Sequence, residues 1–205
     1  RNENRNWRLI TNAHFFQGLR EGSFVFVISV LVYVTSNSEW ALGKYGLVNS
    51  FTSFVAYYAV SRLMRQEYRM KAILLGGLLL YAAIFLIVFQ PSYPRLIVYA
   101  VTIAIAYPML LVPYSSLTFD VIGRSWKSAE ARVEYIVVRE LFLNAGRVAS
   151  ILAFLAAVTW LGEKMGIRML MFVCGAGHLV IYWFVRRIRF TDGRPERDRR
   201  GTIPF

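Results

Sequence analysis

The chain alternates long apolar runs with short polar segments, and the length of the runs predicts its secondary structure. A helix that crosses the hydrocarbon core of a bilayer needs about 20 mainly apolar residues, whereas a membrane barrel shows segments of about ten residues with alternating polarity. The runs are long and continuous, and they cover residues 12–35, 42–60, 71–89, 96–119, 135–160 and 166–185. The pattern therefore predicts an all-α integral membrane protein with six transmembrane helices.

Composition supports the same class and excludes several kinds of site. Apolar residues make up 57% of the chain and charged residues 18%, against about 45–50% and about 25% in soluble domains. Cys174 is the single cysteine, so neither a disulfide within the chain nor a cysteine metal cluster can form. We find no metal-ligand spacing, no phosphate-binding loop and no nucleophile constellation. We expect no metal, no cofactor and no enzymatic activity.

The net charge of +12 could indicate a nucleic-acid binder, but the positions of the basic residues favour a membrane role. They cluster at both chain ends and in the connections after the second and fourth runs, and the other connections are short and carry few. By the positive-inside rule, both termini are cytoplasmic. We expect residues 1–11 to end a cytoplasmic loop, 12–186 to form the bundle, and 187–205 to form a basic cytoplasmic tail. The basic loops and the tail would contact anionic lipid head groups, with no role in nucleic-acid binding.

The fifth run holds charged side chains at membrane depth. Glu140, Asn144 and Arg147 are spaced by four and three residues, so they share one helix face, and Arg139 lies about 100° around from Glu140. A lone charge at the centre of a bilayer costs a few kcal/mol or more, so such residues face the bundle interior and have partners. We expect this face to point toward another helix.

The first run carries a matching set of polar residues. Gln17 and Glu21 lie one turn apart, and Arg20 is adjacent to Glu21. If the first and fifth helices touch, Glu21 can pair with either arginine of the fifth run, and Arg20 can pair with Glu140. Two interpretations remain open: an ion-pair network that locks helix packing, or a solute or proton site or a gate.

The fourth run contains Pro108 and Pro113, which predict a kink because proline removes a backbone donor and clashes one turn back. Ser115, Ser116 and Asp120 follow, and Ser116 and Asp120 share a face. Freed carbonyl groups in a membrane are often satisfied beside a cavity. The segment is therefore either a bend with a polar helix end or part of a cavity wall.

Six helices, a basic loop after the second and a proline-containing fourth helix together resemble one half of a major facilitator superfamily transporter. The stretches "PYSSLTFDVIGRSWKSAEARVEYIVVRELFLNAGRV" and "GLREGSFVFVISVLVYV" are similar to bacterial members. The family's loop motif is G-x-x-x-D-R-x-G-R-R, and the matching place here is "AVSRLMRQEYRMK". Arg62 and Arg69 fit its basic positions, but Ser61 replaces the acid and the glycines are missing. The resemblance gives Arg62, Arg65 and Arg69 the loop's role of bracing helices and biasing the conformational equilibrium.

The resemblance also implies an architecture and a function. The chain would be a C-terminal half of two inverted three-helix repeats in the bacterial cytoplasmic membrane, transporting a solute by alternating access with an N-terminal half. The first and fourth helices would line the cavity. Their candidate lining residues are Gln17, Arg20, Glu21, Tyr107, Ser115 and Ser116. The alternative is a non-transporting six-helix subunit or scaffold that docks to another membrane complex, with which the altered loop motif is compatible.

Overall fold

In the computed structural model, residues 2–125 and 129–190 are described, and this part of the chain is helical with short connections and no strand. The helices are α1 (Asn2–Ser36), α2 (Glu39–Leu63), α3 (Arg69–Val88), α4 (Tyr93–Gly123), α5 (Arg132–Leu161), α6 (Glu163–Gly175) and α7 (Gly177–Val185). A short 3₁₀ helix, Gln66–Tyr68, precedes α3. Residues 191–205 of the expected tail lie outside the described residues.

Five stretches of the described chain are long and apolar enough to cross a membrane, which fits the membrane-protein class that the sequence predicts. They are Glu3–Ser36, Gln66–Val88, Tyr93–Gly123, Arg132–Leu161 and Met165–Val185. The remaining predicted run, at 42–60, lies in α2, which is not among these five stretches. Besides its aromatic residues, α2 carries the polar residues Glu39, Lys44 and Asn49, which lower its mean hydropathy. Its 25 residues nevertheless give it a length of about 37 Å, more than a hydrocarbon core needs.

Two ends of the bundle differ from the sequence prediction. Helix α1 begins at Asn2, so residues 2–11, expected at the end of a loop, form its first turns. The Asn6 side-chain amide donates to the Arg189 carbonyl at 2.9 Å, just beyond α7. The start of α1 and the end of α7 therefore lie at the same end of the bundle. The sixth run is interrupted for one residue at Ala176, between α6 and α7, although Ala176 keeps helical dihedral angles.

The helices pack with α1 and α4 at the centre. Helix α5 runs parallel to α1, as shown by ring contacts between Trp7 and Tyr135 and a hydrogen bond between Ser23 and Ser150. Helix α2 lies along α4, and the Tyr93 hydroxyl near the start of α4 donates to a carbonyl in the first turn of α2. We call α5, α1, α4 and α2 the front row. Behind it, α6 and α7 pack on α5 and α1, and α3 packs on α4.

The two outer helices of the front row are the least buried. Helix α2 buries only Tyr45 and Ala56 among its described side chains, and α5 buries only Leu143, Gly146 and Ser150. Large apolar side chains on both helices remain exposed in this chain. They include Leu47, Phe51, Phe54, Leu141, Leu152 and Leu155. Both helices thus present apolar sides that lipid or another protein must cover.

Candidate functional site

Glu21 lies where α1, α4 and α5 meet, and its carboxylate accepts hydrogen bonds from all three helices. Gln17 Nε2 donates at 2.8 Å and the Tyr107 hydroxyl at 2.5 Å to Oε1, while Arg147 donates at 2.8 Å to Oε2. The predicted pairing of Glu21 with an arginine of α5 is therefore confirmed, and the partner is Arg147. We call Gln17, Glu21, Tyr107, Asn144 and Arg147 the Glu21 cluster.

Small residues bring α1 and α5 close enough for this cluster to form. A Cβ atom at Gly18 would overlap the backbone of α5, and one at Gly146 would overlap the backbone of α1. One turn beyond each glycine stand Gly22 and Ser150, so both helices carry a small-x-x-x-small pair at their contact. The sequence interpretation missed this signal. The stretch "GLREG" is a G-x-x-x-G motif in an apolar run, which predicts such a contact.

The polar side chains continue along α5 from the Glu21 cluster. Arg147 donates to the Asn144 side-chain oxygen at 3.2 Å, and the Asn144 amide donates to the Glu140 carbonyl at 2.9 Å. The Glu140 carboxylate pairs with its neighbour Arg139. Because Glu140 is engaged there, the predicted pair between Arg20 and Glu140 is not formed. Arg139 and Glu140 lie roughly 11 Å or more along the helix axis from Arg147, outside the cluster.

Arg20 differs from the other charged residues of α1 and α5 discussed above, because it forms no ion pair within the described residues. Only 6% of it is exposed, and its Nε and Nη2 atoms have no hydrogen-bond partner among the described residues. Its guanidinium lies 4.7 Å above the centre of the Phe24 ring, on its own helix. Arg20 and Glu21 point in directions about 100° apart because they are consecutive helical residues. The structure thus separates two charges that the sequence places side by side.

The other predicted residues of α4 lie away from Glu21. Ser115 and Ser116 are half-buried and stand roughly 12 Å along the axis from Tyr107. Asp120, one turn further, forms a 2.5 Å ion pair with Arg69 at the start of α3. Helix α4 therefore contributes Tyr107 to the Glu21 cluster and Asp120 to a separate contact near the C-terminal end of α4.

Three arginines are assigned to the loop between α2 and α3, and within the described residues Arg69 is the one whose ion pair reaches another helix. Arg62 is exposed and stacks on Tyr58 of its own helix, with 5.5 Å between its guanidinium carbon and the ring centre. Arg65 is also exposed. The Arg69–Asp120 pair ties the start of α3 to the end of α4.

Comparison with known proteins gives a relative but no function. No protein-family model matches the chain, and no solved structure matches it. The chain is 59% identical over 198 residues to "Uncharacterized protein YqgE" of Bacillus subtilis (strain 168). The alignment covers 97% of this chain and 46% of the relative, so the chain spans about half the length of the relative.

Proposed function

We propose that this chain is one six-helix half of a secondary transporter of the major facilitator type, which moves a solute across a bacterial cytoplasmic membrane by alternating access. The Glu21 cluster carries the proposal. It joins a carboxylate to donors from three helices at membrane depth, where ionisable groups are costly and usually serve a transport or coupling role. The Glu21 side chain is 14% exposed and that of Arg147 is 42% exposed, so the cluster is not sealed.

The pattern of helix packing supports two repeats with inverted topology. The two repeats correspond if α1 is matched with α4, α2 with α5, and α3 with α6 and α7 together. Under this matching, the contact between α1 and α5 corresponds to the contact between α4 and α2. Likewise, the contact between α3 and α4 corresponds to the contact of α6 and α7 with α1. Such a correspondence is expected of two inverted three-helix units. The α5–α6 contact departs from it, because α2 and α3 pack much less on each other.

The open sides of α2 and α5 support a second half as the partner. These helices flank the central pair α1 and α4, so a second bundle that covered them would enclose a cavity against the front row. The relative is about twice as long as this chain, which leaves room for such a bundle on one polypeptide. In this arrangement both ends of the chain face the cytoplasm, as the basic residues indicate.

The Arg69–Asp120 pair supports a conformational role for the basic loop. It joins the start of α3 to the last turns of α4, and therefore bridges the two proposed repeats. Alternating access requires contacts at one end of the bundle that form in one state and break in the other. An ion pair whose Asp120 side chain is 42% exposed can exchange with water when the helices move apart.

A non-transporting membrane subunit is the second candidate, and the closed bonding of Glu21 favours it. Both carboxylate oxygens already have partners within this chain, as a purely structural ion pair would. Ser61 in place of the motif's acid also fits a protein that has lost the moving loop. The two functions differ in one physical respect, because only a transporter exposes its centre to water on both sides of the membrane.

Cysteine accessibility in the complete membrane-embedded protein separates the two functions without knowledge of the solute. In a cysteine-free background, Ile103→Cys and Leu111→Cys place thiols one turn on either side of Tyr107, both at half-buried positions. Leu110→Cys is the matched control, since Leu110 is fully buried beside Gly76 of α3.

We expect a charged, membrane-impermeant thiol reagent to reach Ile103→Cys from one face of the membrane and Leu111→Cys from the other. Leu110→Cys should remain unreacted. If both test positions react only from the same face, or neither reacts, the chain does not alternate its access and the subunit function replaces the transporter.

A further inference from the structure

A cavity of 420 Å³ lies between α1, α2 and α4 and has two chemically distinct ends. Because α1 runs opposite to α2 and α4, the residues at one end are Arg20 and Asn49, and those at the other are Ser29 and Leu42. The distance along α1 from Arg20 to Ser29 is about 14 Å. A cavity of this volume is within the range of small-molecule sites, about 300–1,000 Å³.

The walls between these ends are largely apolar. Phe24, Val25 and Ile28 contribute from α1 and Ile103 from α4, and the rings of Tyr45 and Tyr99 complete the lining, each with a single hydroxyl group. A fully polar solute would lose its hydration against such walls without regaining hydrogen bonds along most of its length. The cavity therefore fits a molecule whose polar group is confined to one end.

Arg20 supplies the polar end, and its bonding is incomplete. It lines the cavity, is 94% buried, and leaves Nε and Nη2 without partners among the described residues. The carboxylate nearest in sequence, Glu21, is already paired with Arg147. A buried guanidinium without a counter-charge is unfavourable, and two oxygens of one anionic group match its planar fork of donors.

We propose that this cavity binds an anionic amphiphile, with its acidic head group at Arg20 and its apolar tail directed toward Ser29. The head group is a carboxylate or a phosphate, which present the same oxygen acceptors to the guanidinium. This inference deepens the proposed function by naming the class of solute, and it rests on that function for the step of transport but not for binding.

Equilibrium binding of isotope-labelled decanoate to the complete protein in lipid nanodiscs tests the site. Arg20→Met removes the charge at similar length. Gly46→Leu fills the cavity, since Gly46 lines it and a Cβ there meets no atom within 4 Å. Gly43→Leu is the matched control, because Gly43 lies one turn away on α2, also has open space at its Cβ, and does not line the cavity.

We expect saturable binding of one decanoate per protein, weakened roughly tenfold or more by Arg20→Met, as for loss of hydrogen bonds to a charged group. Gly46→Leu should abolish it and Gly43→Leu should preserve it. Decanol should not compete. Competition by decyl phosphate that exceeds competition by unlabelled decanoate identifies a phosphate head group, and the reverse order identifies a carboxylate.

Decanoate that associates equally with all four proteins and with empty nanodiscs is dissolved in lipid, and that result overturns the inference. Equal competition by decanol removes the role of Arg20 and overturns it too. The transport proposal can fail separately. If the thiols beside Tyr107 react from one face only while decanoate still binds, alternating access is refuted and the binding site is still supported. Two-sided thiol reactivity without decanoate binding refutes the site alone.

Discussion

Replacing Gly22 by alanine tests the close approach of α1 and α5 on which the Glu21 cluster depends. A Cβ atom at this position would lie 2.5 Å from the carbonyl oxygen of Arg147, whereas ordinary contact begins at 3.4 Å, so the helices must separate by about 0.9 Å there. The nearest atoms belong to the backbone of α5, which cannot rotate away as a side chain could.

This separation affects more than one contact. The hydroxyl groups of Ser23 and Ser150 are 2.7 Å apart on the same interface, and a further 0.9 Å takes them beyond the usual 2.5–3.0 Å of such a bond. Extra volume in a packed interface typically costs about 1–3 kcal/mol. We therefore expect Gly22→Ala to lower the free energy of unfolding by about 1–3 kcal/mol.

Gly43→Ala is the control with the opposite expected sign. Gly43 is also an interior helical glycine, but a Cβ there meets nothing within 4 Å. Alanine favours a helix over glycine by about 1 kcal/mol, so this change should leave stability unchanged or raise it. The free energy of unfolding is measured by titrating the detergent-solubilised complete protein with denaturing detergent and following helicity. If Gly22→Ala is as stable as Gly43→Ala, α1 and α5 do not approach as closely as described.

Three further predictions concern charged residues. Glu21→Gln and Arg147→Met should each destabilise the protein. A double-mutant cycle on the two positions should give a coupling energy of about 1 kcal/mol, which allows for the exposure of Arg147. Additive effects of the two changes would show that the pair is not formed. Asp120→Asn should release Arg69, which hydrogen exchange will detect as faster exchange at the start of α3, and unchanged rates would contradict the bracing contact. Arg20→Met should raise the unfolding temperature in scanning fluorimetry because it removes an uncompensated buried charge, whereas a decrease would show that Arg20 has a partner elsewhere in the complete protein.

Run length and helical periodicity predict much of this fold, because a membrane restricts the choice of secondary structure. The same periodicity predicts one face containing Glu140, Asn144 and Arg147, and Asn144 links the Arg147 side chain to the backbone carbonyl of Glu140. The expectation that this face points toward another helix is met only at Arg147, which pairs with Glu21; Asn144 is exposed and the Glu140 side chain is 41% exposed. Run length alone predicts a membrane span in α2, but residues such as Asn49 lower its mean hydropathy, and the helix is not among the stretches apolar enough to cross a membrane. The start of α1 was missed because residues 2–6 are all polar, and the helix there is held by contacts such as that of Asn6 beyond α7.

The rotation of each helix about its axis is what the sequence leaves undetermined. Periodicity states which residues share a face, but packing against neighbours decides where the face points. Glu21 faces Arg147 because glycines at 18 and 146 bring the two backbones together, and this sets Arg20 on a different side. The sequence therefore predicts that the charges of α1 need partners, but it cannot assign Arg20 to a cavity and Glu21 to an interface.

This division of the two charges leads to a last prediction about their roles. Glu21 already accepts three hydrogen bonds, which occupy three of the roughly four acceptor positions of a carboxylate. The Nε and Nη2 atoms of Arg20 have no hydrogen-bond partner within the described part of the chain, so they can bind an anion without displacing an existing hydrogen bond. We therefore expect Glu21→Gln to preserve decanoate binding while changing the rates at which thiols on either side of Tyr107 react. Arg20→Met should weaken binding while leaving the rate at Leu111→Cys in the absence of decanoate unchanged. Only Leu111→Cys enters this second comparison, because Ile103 lines the same cavity as Arg20. If Glu21→Gln abolishes binding as completely as Arg20→Met, the carboxylate belongs to the ligand site, and the gate must be sought at the Arg69–Asp120 pair.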